Sequence, residues 1–348
     1  MALIYDDLFQ EHVAPMPHPE RPERLEAIKR ALTDAGVVDR AETIPLRDAT
    51  FQELSLIHGA DYLGQVERIL SRGISGYLDM GDTFYSGGTR EAAQKAAGGA
   101  IDVALAVYRG DVPGGMVVVR PPGHHAERDM AMGFCIYNNV ALAAAALLRE
   151  GAKKVAIVDF DVHHGNGTQH SFEVDPRVMY CSIHQSPLFP GTGDVEEIGR
   201  GDGLGSTINM PLAPYCQDAD WYYALGKVII PALTLFGPEM LLVSAGFDAS
   251  SLDSISAQEV SDSGFAMMEA LLTTFADEHC GGKIAVYLEG GYHLGAVATG
   301  MLSFARILEN RPRAVVDADS LIVHKTTEQT AEFSLKLLSR AWPSLVPS

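Results

Sequence analysis

The run VAIVDFDVHHGNG, residues 155–167, closes an apolar stretch with Asp159, Asp161, His163 and His164. Four ionisable side chains at the end of a strand-like run need a chemical reason. In an extended strand alternate side chains share a face, and each residue advances about 3.3 Å. That spacing predicts Asp159, Asp161 and His163 on one face, with Asp161 and His163 roughly 6.6 Å apart at Cα. Two side chains so placed can close on one metal ion. Asp159, twice as far from His163, suits a supporting role behind the ligands. Asp248, in GFDA at the end of another apolar run, can supply a third ligand. Three protein ligands with a position left for water describe a catalytic metal site. Imidazole and carboxylate suit Zn²⁺ and also Fe²⁺ or Co²⁺. Such an ion lowers the pKa of bound water toward ~7 and polarises a carbonyl.

Hydrolysis also requires groups that carry protons. His124 and His125 follow a stiff Pro-Pro-Gly turn and can take a proton from water and pass it to a leaving group. Asp159 can fix the tautomer of one of them. Tyr292, raised on Gly290-Gly291, can donate to the oxyanion of a tetrahedral intermediate.

These residues must be brought together by the elements that carry them. GGMVVVRPPG (114–123), KKVAIVDFD (153–161), EMLLVSAGFD (239–248) and KIAVYLEGGY (283–292) read as strands, each ended by glycine or proline. Residues 21–36, 89–110 and 138–152 read as helices, the last with an N-cap at Asn138 or Asn139 and a stop at Gly151. Continuous apolar strands separated by helices predict a mostly parallel sheet covered on both faces. In open α/β sheets ligands bind beyond the carboxyl ends of the strands. The four polar strand ends therefore predict one site on one rim, and one domain over residues 1–348.

At 47% hydrophobic and 20% charged, the composition is that of a soluble globular chain. The net charge of −19 argues against nucleic-acid binding. VALAAAALL (140–148) is too short to cross a membrane, and the acidic start MALIYDDLFQEHVAP does not read as a signal peptide. Four scattered cysteines form no C-x-x-C pair, which predicts a reducing cytoplasm. GRGDGLGS (199–206) neither follows a strand nor opens a helix, so it predicts a loop rather than a dinucleotide fingerprint.

RPPGHH, GFCIYNN, DFDVHHGNGTQ, SIHQ…FPGTGD, GFDA and EGGY, in this order, resemble the zinc-dependent histone deacetylase superfamily, which includes acetylpolyamine amidohydrolases and acetoin-utilisation proteins. The similarity runs from HPERPERL at 18–25 to about residue 310, and Asn166 makes it resemble the class II branch. The resemblance implies an arginase-like α/β fold with a central parallel sheet of about eight strands. It implies one zinc ion on Asp161, His163 and Asp248, and hydrolysis of a linear amide. It makes His125 the principal base and acid, with Asn166 in the catalytic group. His124 is paired to Asp159 and acts electrostatically, and Tyr292 polarises the carbonyl. Phe134 and Phe189, with Gly133, would wall a narrow tunnel, and Asp82 would grip the substrate backbone at its rim. Arg24 would line an internal acetate channel or lie on a helix surface. Asp159 and Ser182 would contribute to a structural potassium site. Two-manganese ureohydrolases of the same fold carry D-x-H-x-D, but here the fifth position is Gly165, which cannot ligate through a side chain.

The resemblance leaves two substrates: acetyl-lysine in a protein or peptide, or an acetylated polyamine. Polyamine-selective relatives tend to carry a rim carboxylate where this chain has Ile255, and the short segment before the helix at 89 predicts an open mouth. Both favour acetyl-lysine. Against them stand the acidic net charge and Asp253, which could stand in for the missing carboxylate. An acyl-lysine binding module without catalysis would lack Tyr292 or His125, and both are present.

Overall fold

Val155, Ala156, Ile157 and Val158 have no solvent exposure, as a strand covered on both faces requires. The same holds along the other central strands, and in this computed structural model, which describes residues 1–345, they form one sheet. The chain contributes β1 (Ala2–Ile4), β2 (Glu42–Thr43), β3 (Gly76–Tyr77), β4 (Phe84–Tyr85), β5 (Gly115–Val117), β6 (Val155–Asp159), β7 (Val178–Gln185), β8 (Thr207–Leu212), β9 (Met240–Ala245) and β10 (Ile284–Leu288). Eight of them lie in the order β2-β1-β5-β10-β9-β6-β7-β8, and every pairing is parallel. β3 and β4 form a separate antiparallel pair. The predicted eight-stranded, arginase/deacetylase-like α/β fold is the fold observed.

The order of the sheet builds the site. β5 and β6 are laid down early, and β9 and β10 return to fill the gap between them. Parallel pairing then puts the carboxyl ends of β5, β10, β9 and β6 on one rim, with their polar ends side by side.

The predicted helices appear as Glu23–Asp34, Thr89–Arg109 and Asn139–Glu150. Asn138 is the N-cap of the last, its side chain accepting the Ala141 N–H at 3.0 Å, and Gly151 ends it at φ 116°. Helices Asp262–His279 and Leu294–Asn310 pack together and enclose Glu269, which is fully buried with Ser303 Oγ donating to its Oε2 at 2.6 Å. GRGDGLGS is a loop containing a short 3₁₀ turn, Gly201–Gly203. Among the described residues no helix is long and apolar enough to cross a membrane.

One geometric expectation fails. β6 stops at Asp159, and residues 160–163 bend rather than continue as strand. Asp159 Oδ1 accepts the Asp161 N–H at 3.1 Å, and Asp161 Oδ1 accepts the His163 N–H at 2.9 Å. Each aspartate thus bonds the backbone two residues on, which turns the chain. Asp161 and His163 meet through this turn, not through strand alternation.

Candidate active site

Asp161, His163 and Asp248 bring ligand atoms within 4.8 Å of one another, and all three residues are buried. The turn after β6 supplies two of them and the end of β9 the third. Asp248 Oδ1 accepts the Val162 N–H at 2.9 Å, and Asp161 Oδ2 accepts the Gly290 N–H at 2.7 Å, so the strand ends lock one another. His163 Nδ1 stands 3.0 Å from Asp161 Oδ1 and 3.2 Å from Asp248 Oδ2. Asp248 Oδ2 nevertheless has no hydrogen-bond partner of its own. A buried carboxylate oxygen without a donor is costly unless a cation faces it. Burial opposes a charged ring at His163, but the Asp161 hydrogen bond and the charges of Asp248 and Asp161 outweigh it and raise His163 to about 10. Burial and the neighbouring Asp161 push Asp248 up to about 6. Surroundings that hold a positive charge this firmly fit a divalent ion, and the donor set fits zinc.

The two histidines of the Pro-Pro-Gly turn are set apart chemically. His124 Nδ1 lies 3.0 Å from Asp159 Oδ2, and His125 Nδ1 lies 2.8 Å from Asn166 Oδ1. The Asn166 amide is oriented by its own donations, to Glu127 Oε1 at 2.5 Å and to the His125 carbonyl at 3.3 Å. Its oxygen therefore faces the ring, which must donate from Nδ1 and keep a lone pair on Nε2. Burial disfavours charge on His124, yet Asp159, Asp161 and Glu289 raise it to about 10. Burial and repulsion from His124 and His163 push His125 well below the ordinary range. One ring is held as a cation and its neighbour, 4.0 Å away between centroids, as a neutral base.

Burial, then the Asp248 carboxylate, raises the Tyr292 hydroxyl well above its usual value, so it remains a proton donor. Phe134 stands edge-on to Tyr292 at 6.0 Å, and Phe189 edge-on to His125 at 5.1 Å and His163 at 6.3 Å. The two phenyl rings flank the polar groups as expected. Gly133 (φ 54°) lets the chain pass His125, since a side chain there would run into that ring.

A model of the histone deacetylase domain matches residues 18–308 of this chain. The chain belongs to the histone deacetylase family. It is 38% identical to histone deacetylase 15 of Arabidopsis thaliana over 97% of this chain and 61% of that protein. It is 36% identical to a probable deacetylase of Archaeoglobus fulgidus over 83% of this chain and 80% of that protein. The crystal structure of the HDA15 HD domain matches with a TM-score of 0.91 at 36% identity, covering 99% of this chain and 95% of that one. The chain spans 38% to 61% of the length of three larger deacetylase relatives.

Within this histone deacetylase fold, several expected residues lie elsewhere than predicted or are already occupied. Arg24 is not on a surface. It is fully buried, donating from Nε to the Gly291 carbonyl at 2.6 Å and from Nη2 to the Glu289 carbonyl at 2.5 Å, with its guanidinium 5.0 Å from the Tyr292 ring centre. Asp253 is not a free rim carboxylate. Its Oδ2 accepts the N–H groups of Tyr292 and His293 at 2.6 and 2.8 Å, and its Oδ1 that of Ile255 at 3.2 Å. Ile255 is partly buried against the core. Asp82 is exposed beside β4, where loss of solvent and then the Asp79 charge raise its carboxyl. Asp159 and Ser182 are partners across β6 and β7, but Asp159 Oδ2 also takes Tyr180 OH at 3.1 Å and Ser182 Oγ pairs with His184 Nδ1 at 2.9 Å. A side chain at Gly165 would collide with Asp159 and Tyr180, which excludes a bridging carboxylate there.

Glu289 has a place in the site that the sequence reading did not give it. Its Oε2 accepts the N–H groups of Gly123 and His124 at 2.7 and 3.1 Å, and Ser244 donates to Oε1 at 3.0 Å. It pins the histidine turn to the end of β10. The available signal was an acid closing an apolar run, the same signal that singled out Asp159.

Proposed function

We propose that this chain is a zinc-dependent deacetylase that hydrolyses the acetyl amide of lysine side chains in proteins or peptides. One observation carries the reading: His125, held at Nδ1 by Asn166, and His124, held at Nδ1 by Asp159, stand side by side next to the Asp161–His163–Asp248 cluster. When bound, the ion would acidify water and polarise the amide carbonyl. His125 takes the proton of the attacking water on Nε2, because Asn166 holds its other nitrogen. The same ring then returns the proton to the departing amine. His124, kept charged by Asp159, stabilises the negative charge that develops beside it. The Tyr292 hydroxyl donates to the oxyanion. Phe134 and Phe189 hold the aliphatic stem between them and keep bulk water away from the reacting carbon.

The lysine assignment is supported by Ile255, which brings no charge, and by Asp253, whose oxygens are committed to backbone. The four free, buried cysteines support a reducing cytoplasmic location. The test is metal analysis followed by kcat/KM for an acetyl-lysine peptide against N-acetylputrescine and N8-acetylspermidine at one salt concentration. A tenfold or larger advantage for either polyamine would replace this reading with an acetylpolyamine amidohydrolase.

A further inference from the structure

A second hollow opens beside Tyr292. It has a volume of about 420 Å³, and its lining includes His18, Arg21, Leu252, Ser254, Tyr292 and His293. Its polar groups are mostly donors. Arg21 is exposed, and its guanidinium makes no ion pair or hydrogen bond among the described residues. His293 Nδ1 accepts the Ala296 N–H at 3.2 Å, so that ring carries its proton on Nε2. His18 has Nδ1 against the main chain of Glu20, 3.1 Å from the N–H and 3.2 Å from the carbonyl, which leaves its Nε2 for a ligand. The Ser254 hydroxyl can serve as donor or acceptor. Asp253 is the carboxylate on this wall, and the N–H groups of Tyr292, His293 and Ile255 occupy both its oxygens. In a chain of net charge −19, a free guanidinium and two imidazoles whose one lining carboxylate, Asp253, is already occupied form a local exception, although the charge of Asp82, outside the lining, reaches His18. Such a group of donors is complementary to an anion that accepts hydrogen bonds.

We propose that this hollow is a subsite for a carboxylate side chain of the peptide substrate, next to the acetylated lysine, and that Arg21 is its specificity-determining residue. The proposal rests on the lysine-peptide reading above and names the peptide class it prefers. Tyr292 borders both the hollow and the reacting groups, so a group seated here belongs to a residue one or two positions from the lysine, at about 3.3 Å per extended residue. Arg21 offers the planar fork that a carboxylate matches with two parallel bonds. Leu252, 59% exposed, gives apolar surface to the methylenes of a glutamate.

The experiment compares kcat/KM for acetyl-lysine peptides carrying Glu or its isostere Gln one or two positions before or after the lysine. Each is measured with the wild type, Arg21→Ala and Arg21→Glu. At low salt one Glu position should exceed Gln by roughly three- to tenfold, the range of a single partly exposed ion pair strengthened by two hydrogen bonds. The ratio should fall to about one in Arg21→Ala and below one in Arg21→Glu, and it should shrink as salt screens the pair. Equal values for Glu and Gln at every position, or a preference that survives Arg21→Ala, would overturn the subsite. A further pair of peptides ends in acetyl-lysine as free acid or amide. A preference confined to that free acid would overturn the side-chain assignment in favour of a terminal carboxylate. Turnover of the Gln peptides without any gain from Glu would leave the lysine deacetylase reading standing, so the two failures are distinguishable.

Discussion

Asp253 Oδ2 receives the main-chain N–H of Tyr292 at 2.6 Å, so a buried carboxylate fixes the backbone of the residue proposed to supply the oxyanion donor. Oδ2 also receives the His293 N–H and Oδ1 that of Ile255, tying the segment after β9 to the segment after β10. Asp253→Ala leaves three N–H groups without this acceptor. It should lower kcat at least tenfold while metal content is retained. Loss of the metal together with activity would mean that Asp253 supports the whole rim rather than Tyr292.

Tyr292→Phe removes one hydroxyl and leaves the ring in place. Turnover should fall roughly 10²–10³-fold, the usual effect of deleting one oxyanion donor. Fold and metal stoichiometry should be unchanged. A near-normal rate would move the oxyanion role to another group.

Asp248→Ala deletes a proposed metal ligand whose Oδ2 has no hydrogen-bond partner. Elemental analysis should find one divalent ion per wild-type chain and a small fraction of that in the variant, with almost no activity. Two equally occupied ions per wild-type chain would defeat the mononuclear assignment.

His125→Ala should lose more activity than His124→Ala, about 10²–10⁴-fold, because only His125 presents a free lone pair on Nε2. Both variants should retain metal. His124→Ala also strands the buried Asp159, so its melting temperature should be the lower of the two. If His124→Ala proved the slower enzyme, the two roles would be exchanged.

Glu269 provides a test of stability against pH away from the site. Burial raises its carboxyl from the model-peptide value of 4.5 to about 8. Between those values the folded chain binds a proton that the unfolded chain releases, so this group's contribution falls as pH rises from 4.5 to 8. Glu269→Gln keeps an acceptor for Ser303 and cannot ionise. Its melting temperature should match the wild type near pH 4.5 and exceed it near pH 8 by on the order of 5 °C. A difference independent of pH would show that Glu269 does not ionise differently in the two states.

What could be read from the residues alone was the set of strand ends. An apolar run that stops in Asp or Glu, or in a proline-glycine turn followed by His, is visible in one dimension, and β6, β9 and β10 end in the first way and β5 in the second. β7 and β8 are interrupted by Ser182, His184 and Asn209, so they lack the continuous apolar signal, and β1 and β2 are too short to give one. The roles of Arg24 and Asp253 are set by distant backbone. Arg24 lies in a helix beside glutamates, a pattern shared with any solvated helix face, and the carbonyls of Gly291 and Glu289 together with the buried Glu20 carboxylate hold it inside. Asp253 bonds N–H groups, which every non-proline residue carries, so no residue type announces the contact. The bend at 160–163 was missed because Asp-x-Asp-x-His fits strand alternation and consecutive aspartate turns equally well.

β9 and β10 come last among the sheet strands and lie at its middle. During synthesis β5 and β6 precede β9 and β10, which in the finished sheet fill the gap of three strand spacings, about 14 Å, between them. His124 and His125 are then carried on one side of that gap and Asp161 and His163 on the other, while Asp248 and Tyr292 have not yet been made. Contacts of such long sequence separation form slowly. The proposed ligands and bases therefore come together only once the final pair of strands has been made and has entered the sheet, so the proposed site cannot assemble on a shorter nascent chain.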